Sequence, residues 1–164
     1  MGHVWLVGMM GSGKTTVGAM VAEMLELPFV DTDSDVVTAT GRTIAEMFDE
    51  GEHVFREAET RVLSSVASRE RSVVSTGGGA ILSEENVSTM RRSGTIVLLD
   101  VDVATIVERI DIEDERPLLR DEAAIAAILA ERTEIYETVA DHVVSVMNRT
   151  PQNIADEVAA CVDM

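Results

Sequence analysis

The sequence contains few cysteine, lysine and aromatic residues. Among its 164 residues, Cys161 is the only cysteine and aromatic residues make up 3% of the chain. A single cysteine excludes an internal disulfide and argues against a structural zinc site. With so few aromatic rings, a folded core has to be built from Val, Ile, Leu, Ala and Met.

Long apolar runs are also missing from the sequence. No stretch approaches the roughly 18 uncharged apolar residues that a membrane-spanning helix requires. Residues 1–8 carry no basic segment ahead of their short apolar run, which is not the pattern of a secretion signal. We therefore expect a soluble cytoplasmic protein, and the length of the chain predicts a single domain over residues 1–164.

Positive charge is scarce in this chain. The formal net charge is −17, and the 13 basic residues comprise twelve arginines and one lysine, Lys14. Nucleic acid and anionic membranes are bound through basic patches, so we expect neither as a partner. A bias in composition explains the acidity better than a function does. A site for an anion nevertheless has to gather the few cations present.

Hydrophobic periodicity predicts strands that alternate with helices along the whole chain. Strands are predicted at residues 3–7, 29–33, 72–75, 95–99 and 142–146, and helices at 14–27, 34–69 with breaks at Gly41 and Gly51, 83–92, 103–110, 122–139 and 151–162. Residues 111–121 are polar, contain Pro117 and show neither period, which favours a lid. The predicted fold is α/β, a five-stranded parallel sheet with helices on both faces and ligands at the carboxyl ends of the strands.

A phosphate-binding loop follows the first predicted strand. Residues 8–15 read GMMGSGKT, which matches GxxxxGK[ST] between a strand and a helix, the context that this motif requires. Glycines let backbone N–H groups face an anion, Lys14 adds a full charge, and the Thr15 hydroxyl can bind Mg²⁺. A chance glycine-rich turn is the weaker alternative. The residues predicted to hold ATP are Gly11, Ser12, Gly13, Lys14, Thr15 and Thr16.

Further motifs follow in order along the chain. They are the extension of the loop to Thr16-Val17-Gly18, Asp31-Thr32-Asp33, Phe55-Arg56 with Glu59, Gly77-Gly78-Gly79 and Arg116-Pro117-Leu118-Leu119. In this combination the sequence resembles the shikimate kinase family over essentially its whole length. The resemblance implies a P-loop kinase fold with a helical substrate-binding region at residues 32–62. It also implies transfer of phosphate from ATP to the 3-hydroxyl of shikimate, giving shikimate 3-phosphate, a step of aromatic amino acid biosynthesis.

The resemblance also implies roles for individual residues. Asp31 would help to hold Mg²⁺ together with Thr15, and Asp33 would bind the hydroxyls of the acceptor and act in catalysis. Arg56, oriented by Glu59, and Arg132 would bind the acceptor carboxylate, for which the planar guanidinium fork is suited. The acceptor ring would lie against the backbone of Gly77, Gly78 and Gly79.

Each of these assignments has a simpler structural alternative. Asp31 or Asp33 is a good N-cap for the helix that follows. Arg56 and Glu59 have the i, i+3 spacing of a surface ion pair, which would be worth only tenths of a kcal/mol. The glycine triplet also suits a tight turn between a strand and a helix.

The remaining assignments concern the nucleotide and the lid. By the resemblance, Arg116 closes over the phosphates and acts in catalysis, Arg109 lies near the adenine, and Pro151 closes the adenine pocket. Two features depart from the family pattern. An acidic run directly precedes Arg116, where it either opposes closure of the lid or stays in solvent. Val54 occupies a place where an acidic residue is expected.

Two other functions are compatible with the phosphate loop. One is a kinase for another small hydroxy acid such as gluconate, against which the pairing of Arg56, Arg132 and Asp33 argues. The other is a non-catalytic nucleotide-binding switch, which would have no need to keep Lys14, Thr15, Asp31 and Arg116 together. We expect a monomer whose ligands are ATP, Mg²⁺ and shikimate.

Overall fold

The computed structural model of the protein describes residues 2–110 and 122–162, and in this part of the chain strands and helices alternate. The strands are β1 His3–Val7, β2 Phe29–Asp31, β3 Val73–Ser75, β4 Gly94–Asp100 and β5 His142–Ser145. The helices are α1 Lys14–Met24, α2 Thr32–Thr40, α3 Ile44–Glu50, α4 Glu52–Ala67, α5 Glu84–Ser93, α6 Val103–Ile110, α7 Glu122–Val139 and α8 Pro151–Val162, with a 3₁₀ turn at Ala80–Leu82. The lid predicted at 111–121, and Arg116 with it, lies outside the described residues.

The five strands form one parallel sheet in the order β2-β3-β1-β4-β5, which confirms the predicted fold class. β1 lies in the middle and all five of its residues are buried. The chain first builds the sheet on one side of β1 and then crosses to the other side to add β4. The carboxyl end of β1 is therefore the point where the strand order reverses, and open α/β sheets bind ligands at this point.

The helical stretch between β2 and β3 breaks at Gly41 and Gly51, where the sequence predicted the breaks. Gly41 has φ +67° and Gly51 has φ +151°, values that favour glycine over other residues. Between them, Thr43 and Glu46 form a reciprocal capping box that starts α3. Two short helices, α2 and α3, and the longer helix α4 thus replace one continuous helix between β2 and β3.

Two predicted boundaries differ from the structure near residue 30. Helix α1 ends at Met24, three residues before its predicted end, because Glu26 takes φ +54° and the N–H of Leu27 bonds the carbonyl of Ala22 at 2.9 Å. This is a Schellman ending, and the proline after Leu27 disfavours further helix. Asp33 lies in the first turn of α2, whereas the sequence had suggested the end of the strand, because α2 begins directly after β2.

Aliphatic side chains fill the core, as the composition predicted. The two faces of the sheet are covered by residues such as Leu6, Val21, Leu63, Ile96 and Ile154, all of which are fully buried. None of the helices among the described residues has both the length and the apolar character that crossing a membrane requires.

Candidate active site

The loop between β1 and α1 has the conformation of an anion-binding turn. Gly8, Gly11 and Gly13 have φ values of +145°, +78° and +91°, which only glycine adopts without strain. α1 begins at Lys14 directly after the loop, so the positive end of its helix dipole faces the turn. The Lys14 Nζ folds back over the loop and donates to the carbonyls of Gly8 at 2.6 Å and Met9 at 2.9 Å. The ammonium group is therefore already held at the mouth of the turn.

Other residues predicted to bind the nucleotide surround this loop. Ser12 is fully buried within it, and Thr16 is exposed on the first turn of α1. Arg109 on α6 donates to the carbonyl of Gly11 at 2.9 Å, so it lies against the outer side of the loop. Pro151 is the first residue of α8 and is exposed.

A hydroxyl and a carboxylate meet beside the loop. The Thr15 hydroxyl donates to Oδ2 of Asp31 at 2.9 Å and lies 3.5 Å from Oγ of Ser75. Asp31 also caps α2, because its Oδ1 accepts from the N–H of Ser34 at 3.1 Å. The capping role that the sequence offered as an alternative is thus present together with the contact to Thr15.

A cleft of about 320 Å³ opens next to the phosphate loop. Its polar wall is formed by Asp33, Arg56 and Arg132 with the backbone of the glycine triplet, and Met10 of the loop forms its border. The other lining residues are mostly apolar and comprise Val37, Thr43, Ile44, Ala45, Phe48 and Phe55. Helices α2, α3, α4 and α7 therefore all contribute to one pocket.

The arginine Arg56 is held in place by two carboxylates. Its Nη1 bonds Glu59 at 3.0 Å and its Nη2 bonds Glu52 at 3.2 Å. Glu59 is 1% exposed, so it is not the surface ion-pair partner of the simpler alternative. Burial raises the pKa of Glu59, while the charge of Arg56 acts in the opposite direction. Arg132, 9% exposed on α7, also lowers the pKa of Glu59 and so belongs to the same charge cluster.

The glycine triplet is required by the side chains packed against it. A Cβ at Gly77 would stand 2.5 Å from Oε1 of Glu59 and 3.1 Å from Oδ1 of Asp33. A Cβ at Gly79 would stand 2.6 Å from both Cζ and Nη1 of Arg56. The distances of 2.5 Å to Glu59 and 2.6 Å to Arg56 are far below ordinary van der Waals contact. The absence of side chains at these two positions gives the charged groups of the cleft their room.

One residue of this site was missed in the sequence. The hydroxyl of Tyr136 on α7 donates a hydrogen bond to the carbonyl of Gly78, and the side chain is 2% exposed. Tyr136 is the only tyrosine of the chain and stands one helical turn after Arg132, on the same face of the helix. That spacing was the signal available in the sequence.

The structure thus brings the predicted residues together in three groups. The first group is the phosphate loop with Arg109 against it, formed by Gly11, Ser12, Gly13, Lys14 and Thr16. The second is the contact between Thr15 and Asp31. The third lines the cleft and comprises Asp33, Arg56, Arg132 and the glycine triplet. Arg109 and Pro151 do not line the cleft. A phosphate loop at the switch point of a parallel sheet, next to a small cleft lined by arginines and a carboxylate, defines a P-loop kinase of small molecules.

Comparison with known proteins identifies the family within that class. The family model described as shikimate kinase matches residues 10–163. A shikimate kinase of Persephonella marina is 39% identical over 160 residues, covering 96% of this chain and 97% of that protein. The solved structure of shikimate kinase from Acinetobacter baumannii in complex with shikimate has a TM-score of 0.94 at 34% identity and covers 99% of this chain and 93% of that one. The chain belongs to the shikimate kinase family.

The likeness to a kinase of a linear sugar acid is much weaker. A gluconokinase from Sinorhizobium meliloti has a TM-score of 0.62 at 18% identity, covering 99% of this chain and 91% of that one. At this identity the likeness shows a common fold and nothing about the acceptor. The gluconate alternative is therefore not favoured.

Proposed function

We propose that this chain transfers the γ-phosphoryl group of ATP to the 3-hydroxyl of shikimate, giving shikimate 3-phosphate and ADP. The observation that carries the proposal is the cleft beside the phosphate loop, which combines two guanidinium groups, Arg56 and Arg132, with the carboxylate of Asp33. Shikimate is a compact ring with one carboxylate and neighbouring hydroxyls. Guanidinium groups bind the carboxylate of shikimate, and a carboxylate side chain accepts hydrogen bonds from its hydroxyls. Membership of the shikimate kinase family supports the same acceptor.

On the donor side, the phosphate loop supplies positive charge in an otherwise negative protein. The N–H groups of the loop and the start of α1 would face the β- and γ-phosphates. Lys14 would exchange its present acceptors, the carbonyls of Gly8 and Met9, for phosphate oxygens. By the resemblance, Arg116 adds a second cation to the phosphates, while Arg109 and Pro151 serve the adenine. These three roles rest on the family pattern.

The contact between Thr15 and Asp31 fits a magnesium site. A hydroxyl and a carboxylate oxygen 2.9 Å apart are hard oxygen ligands of the kind that Mg²⁺ prefers. Within 2–110 and 122–162 no cluster of three or more His, Cys, Asp and Glu could hold a metal by itself. Mg²⁺ usually takes one or two protein ligands and completes its shell with water and phosphate oxygens. When bound there, the ion would neutralise charge that develops on the phosphates.

On the acceptor side, Asp33, which lines the cleft, would receive a proton. The oxygen of the acceptor hydroxyl would form the new bond to the γ-phosphorus while the bond from phosphorus to the β,γ-bridging oxygen breaks. The electron pair of that bond leaves with ADP, and the hydroxyl proton passes to the carboxylate of Asp33. Arg56 and Arg132 would hold the ring so that the hydroxyl points to the phosphate loop. All of these groups come from one chain, so the proposed reaction needs no second copy, and we propose a monomer acting in the cytoplasm.

The test is ADP release by the purified protein with Mg·ATP, measured without acceptor, with shikimate and with gluconate. Release that depends on shikimate is expected, together with near-complete loss of turnover in Lys14→Ala at an unchanged far-ultraviolet circular dichroism spectrum. Release that depends on gluconate would select the other acceptor. ATP binding without release under any of the three conditions would select the non-catalytic switch.

A further inference from the structure

Tyr136 is buried beside the candidate site and takes no part in the bond-making steps of the proposed reaction. Its hydroxyl contacts Gly78 of the glycine triplet, and its helix carries Arg132 one turn earlier. We propose that Tyr136 is a positioning residue that fixes the acceptor-binding groups against the phosphate loop. The proposal rests on the function proposed above and names a further residue of the same site.

The first neighbour of Tyr136 on its own helix is the acceptor-binding arginine, Arg132, one turn earlier on the same face of α7. Burial raises the pKa of Tyr136 to about 12, although the charge of Arg132 acts in the opposite direction. The phenol therefore keeps its proton at neutral pH and can accept from the guanidinium while donating to Gly78. A guanidinium that has given one N–H to a fixed acceptor has fewer orientations left. Tyr136 thus restricts where Arg132 can present its remaining donors.

The second contact reaches the phosphate loop through Gly78. A Cβ placed on Gly78 would lie 3.4 Å from the backbone nitrogen of Met10 and 3.6 Å from the carbonyl oxygen of Gly8. These are ordinary contact distances for an added methyl group, so Gly78 lies beside the loop that would hold ATP, with room for about one methyl group between them. The carbonyl of Gly78 accepts the hydrogen bond from Tyr136.

Tyr136 therefore lies between Arg132, its neighbour on α7, and Gly78, which it hydrogen-bonds and which lies beside the phosphate loop. In-line phosphoryl transfer requires the acceptor hydroxyl and the γ-phosphate to be held at a fixed distance and angle. A misplacement of the order of 1 Å in such a pair lowers the rate strongly. A residue that ties the acceptor arginine to the donor loop therefore acts on the geometry of transfer, and not on ATP binding alone.

The direct test is Tyr136→Phe, which keeps the ring in the core and removes only the hydroxyl. We expect kcat/KM for shikimate to fall about tenfold, because the Gly78 carbonyl loses a buried partner and Arg132 loses a polar neighbour one turn away. The dissociation constant of ATP, measured in the absence of shikimate, is expected to stay within about twofold, since the loop keeps its own hydrogen bonds.

Thr133→Val is the matched control on the same helix. It also removes one hydroxyl from α7, but the Thr133 hydroxyl bonds the carbonyl of Leu129 within the helix at 2.7 Å. This variant is expected to leave kcat/KM unchanged, whatever it does to the unfolding temperature. If Tyr136→Phe lowers the unfolding temperature and leaves kcat/KM for shikimate at the wild-type value, Tyr136 is a structural residue and the proposal is overturned.

A second measurement does not depend on the variant folding. Because the chain has one tyrosine, growth with 3-fluorotyrosine labels Tyr136 alone and gives a single ¹⁹F resonance. That resonance is expected to shift when shikimate saturates the protein, and a resonance that does not move would overturn the proposal. The two proposals fail differently. Wild-type protein that does not phosphorylate shikimate overturns both, whereas active wild type with an equally active Tyr136→Phe variant overturns only the role of Tyr136.

Discussion

Gly79→Ala tests the acceptor cleft with a single added methyl group. The added Cβ would stand 2.6 Å from both Cζ and Nη1 of Arg56, so the side chain of Arg56 has to move. The backbone at Gly79 has φ −99° and ψ 5°, which alanine can adopt. The perturbation therefore falls on the Arg56 guanidinium and spares the local backbone.

The size of the effect follows from these distances. Carbon atoms pack at roughly 3.5–4.0 Å, so the guanidinium has to retreat by about 1 Å. That movement takes it out of the geometry in which it bonds Glu59 at 3.0 Å and faces the cleft. A hydrogen bond to a charged group contributes about 1.5–3 kcal/mol, and each 1.4 kcal/mol is about tenfold in affinity. The KM for shikimate is expected to rise about 10- to 100-fold, with the dissociation constant of ATP nearly unchanged.

The assay is steady-state ADP release at saturating Mg·ATP with shikimate varied. Gly41→Ala is the control, because Gly41 has φ +67° and nothing lies within 4 Å of its added Cβ. Alanine is strained there by roughly 1 kcal/mol, so this variant loses stability without touching Arg56. A folded Gly79→Ala protein with the wild-type KM for shikimate would refute the argument that Arg56 binds the acceptor.

Two further predictions concern the carboxylates that hold Arg56. Glu52 is 59% exposed and competes with the acceptor carboxylate for the guanidinium of Arg56. Glu52→Gln is therefore expected to lower the KM for shikimate about two- to threefold in the same assay. An increase in KM would mean that Glu52 orients Arg56 for binding. Burial raises the pKa of Glu59 above its ordinary value of 4.5, against the charge of Arg56. A carboxyl group whose pKa is higher in the folded state than in the unfolded state stabilises the fold when the pH lies below the unfolded-state pKa. This stabilisation is lost as the pH rises through the folded-state pKa. Glu59→Gln removes that titration. The unfolding free energy of the variant minus that of the wild type, both measured by urea unfolding, should therefore increase as the pH rises above 4.5. A difference that does not change with pH would contradict this prediction.

Local sequence patterns determined the elements of this protein and the half of the site that binds phosphate. The loop at residues 8–13 lies between a strand and a helix that are its direct neighbours in the chain. Its conformation therefore follows from its own glycines and from the helix that starts at Lys14. The same holds for the breaks at Gly41 and Gly51, where the positive φ values depend on residues nearby in the chain. The end of α1 was placed too late, because the left-handed conformation of Glu26 has no signal in a non-glycine residue.

The acceptor half of the site depends on packing between segments that are far apart in the chain. Sequence spacing alone favoured a surface pair of Arg56 and Glu59 over a site. Only the packing of α4 under the glycine triplet buried Glu59 to 1% exposure. The bond from Tyr136 to Gly78 joins residues 58 positions apart. Burial changes the energy of a charged or polar group far more than neighbours in sequence do, since it removes water and leaves the nearest side chain as the only partner. For that reason the residue types were visible in the sequence, whereas their common cleft was decided by the tertiary structure.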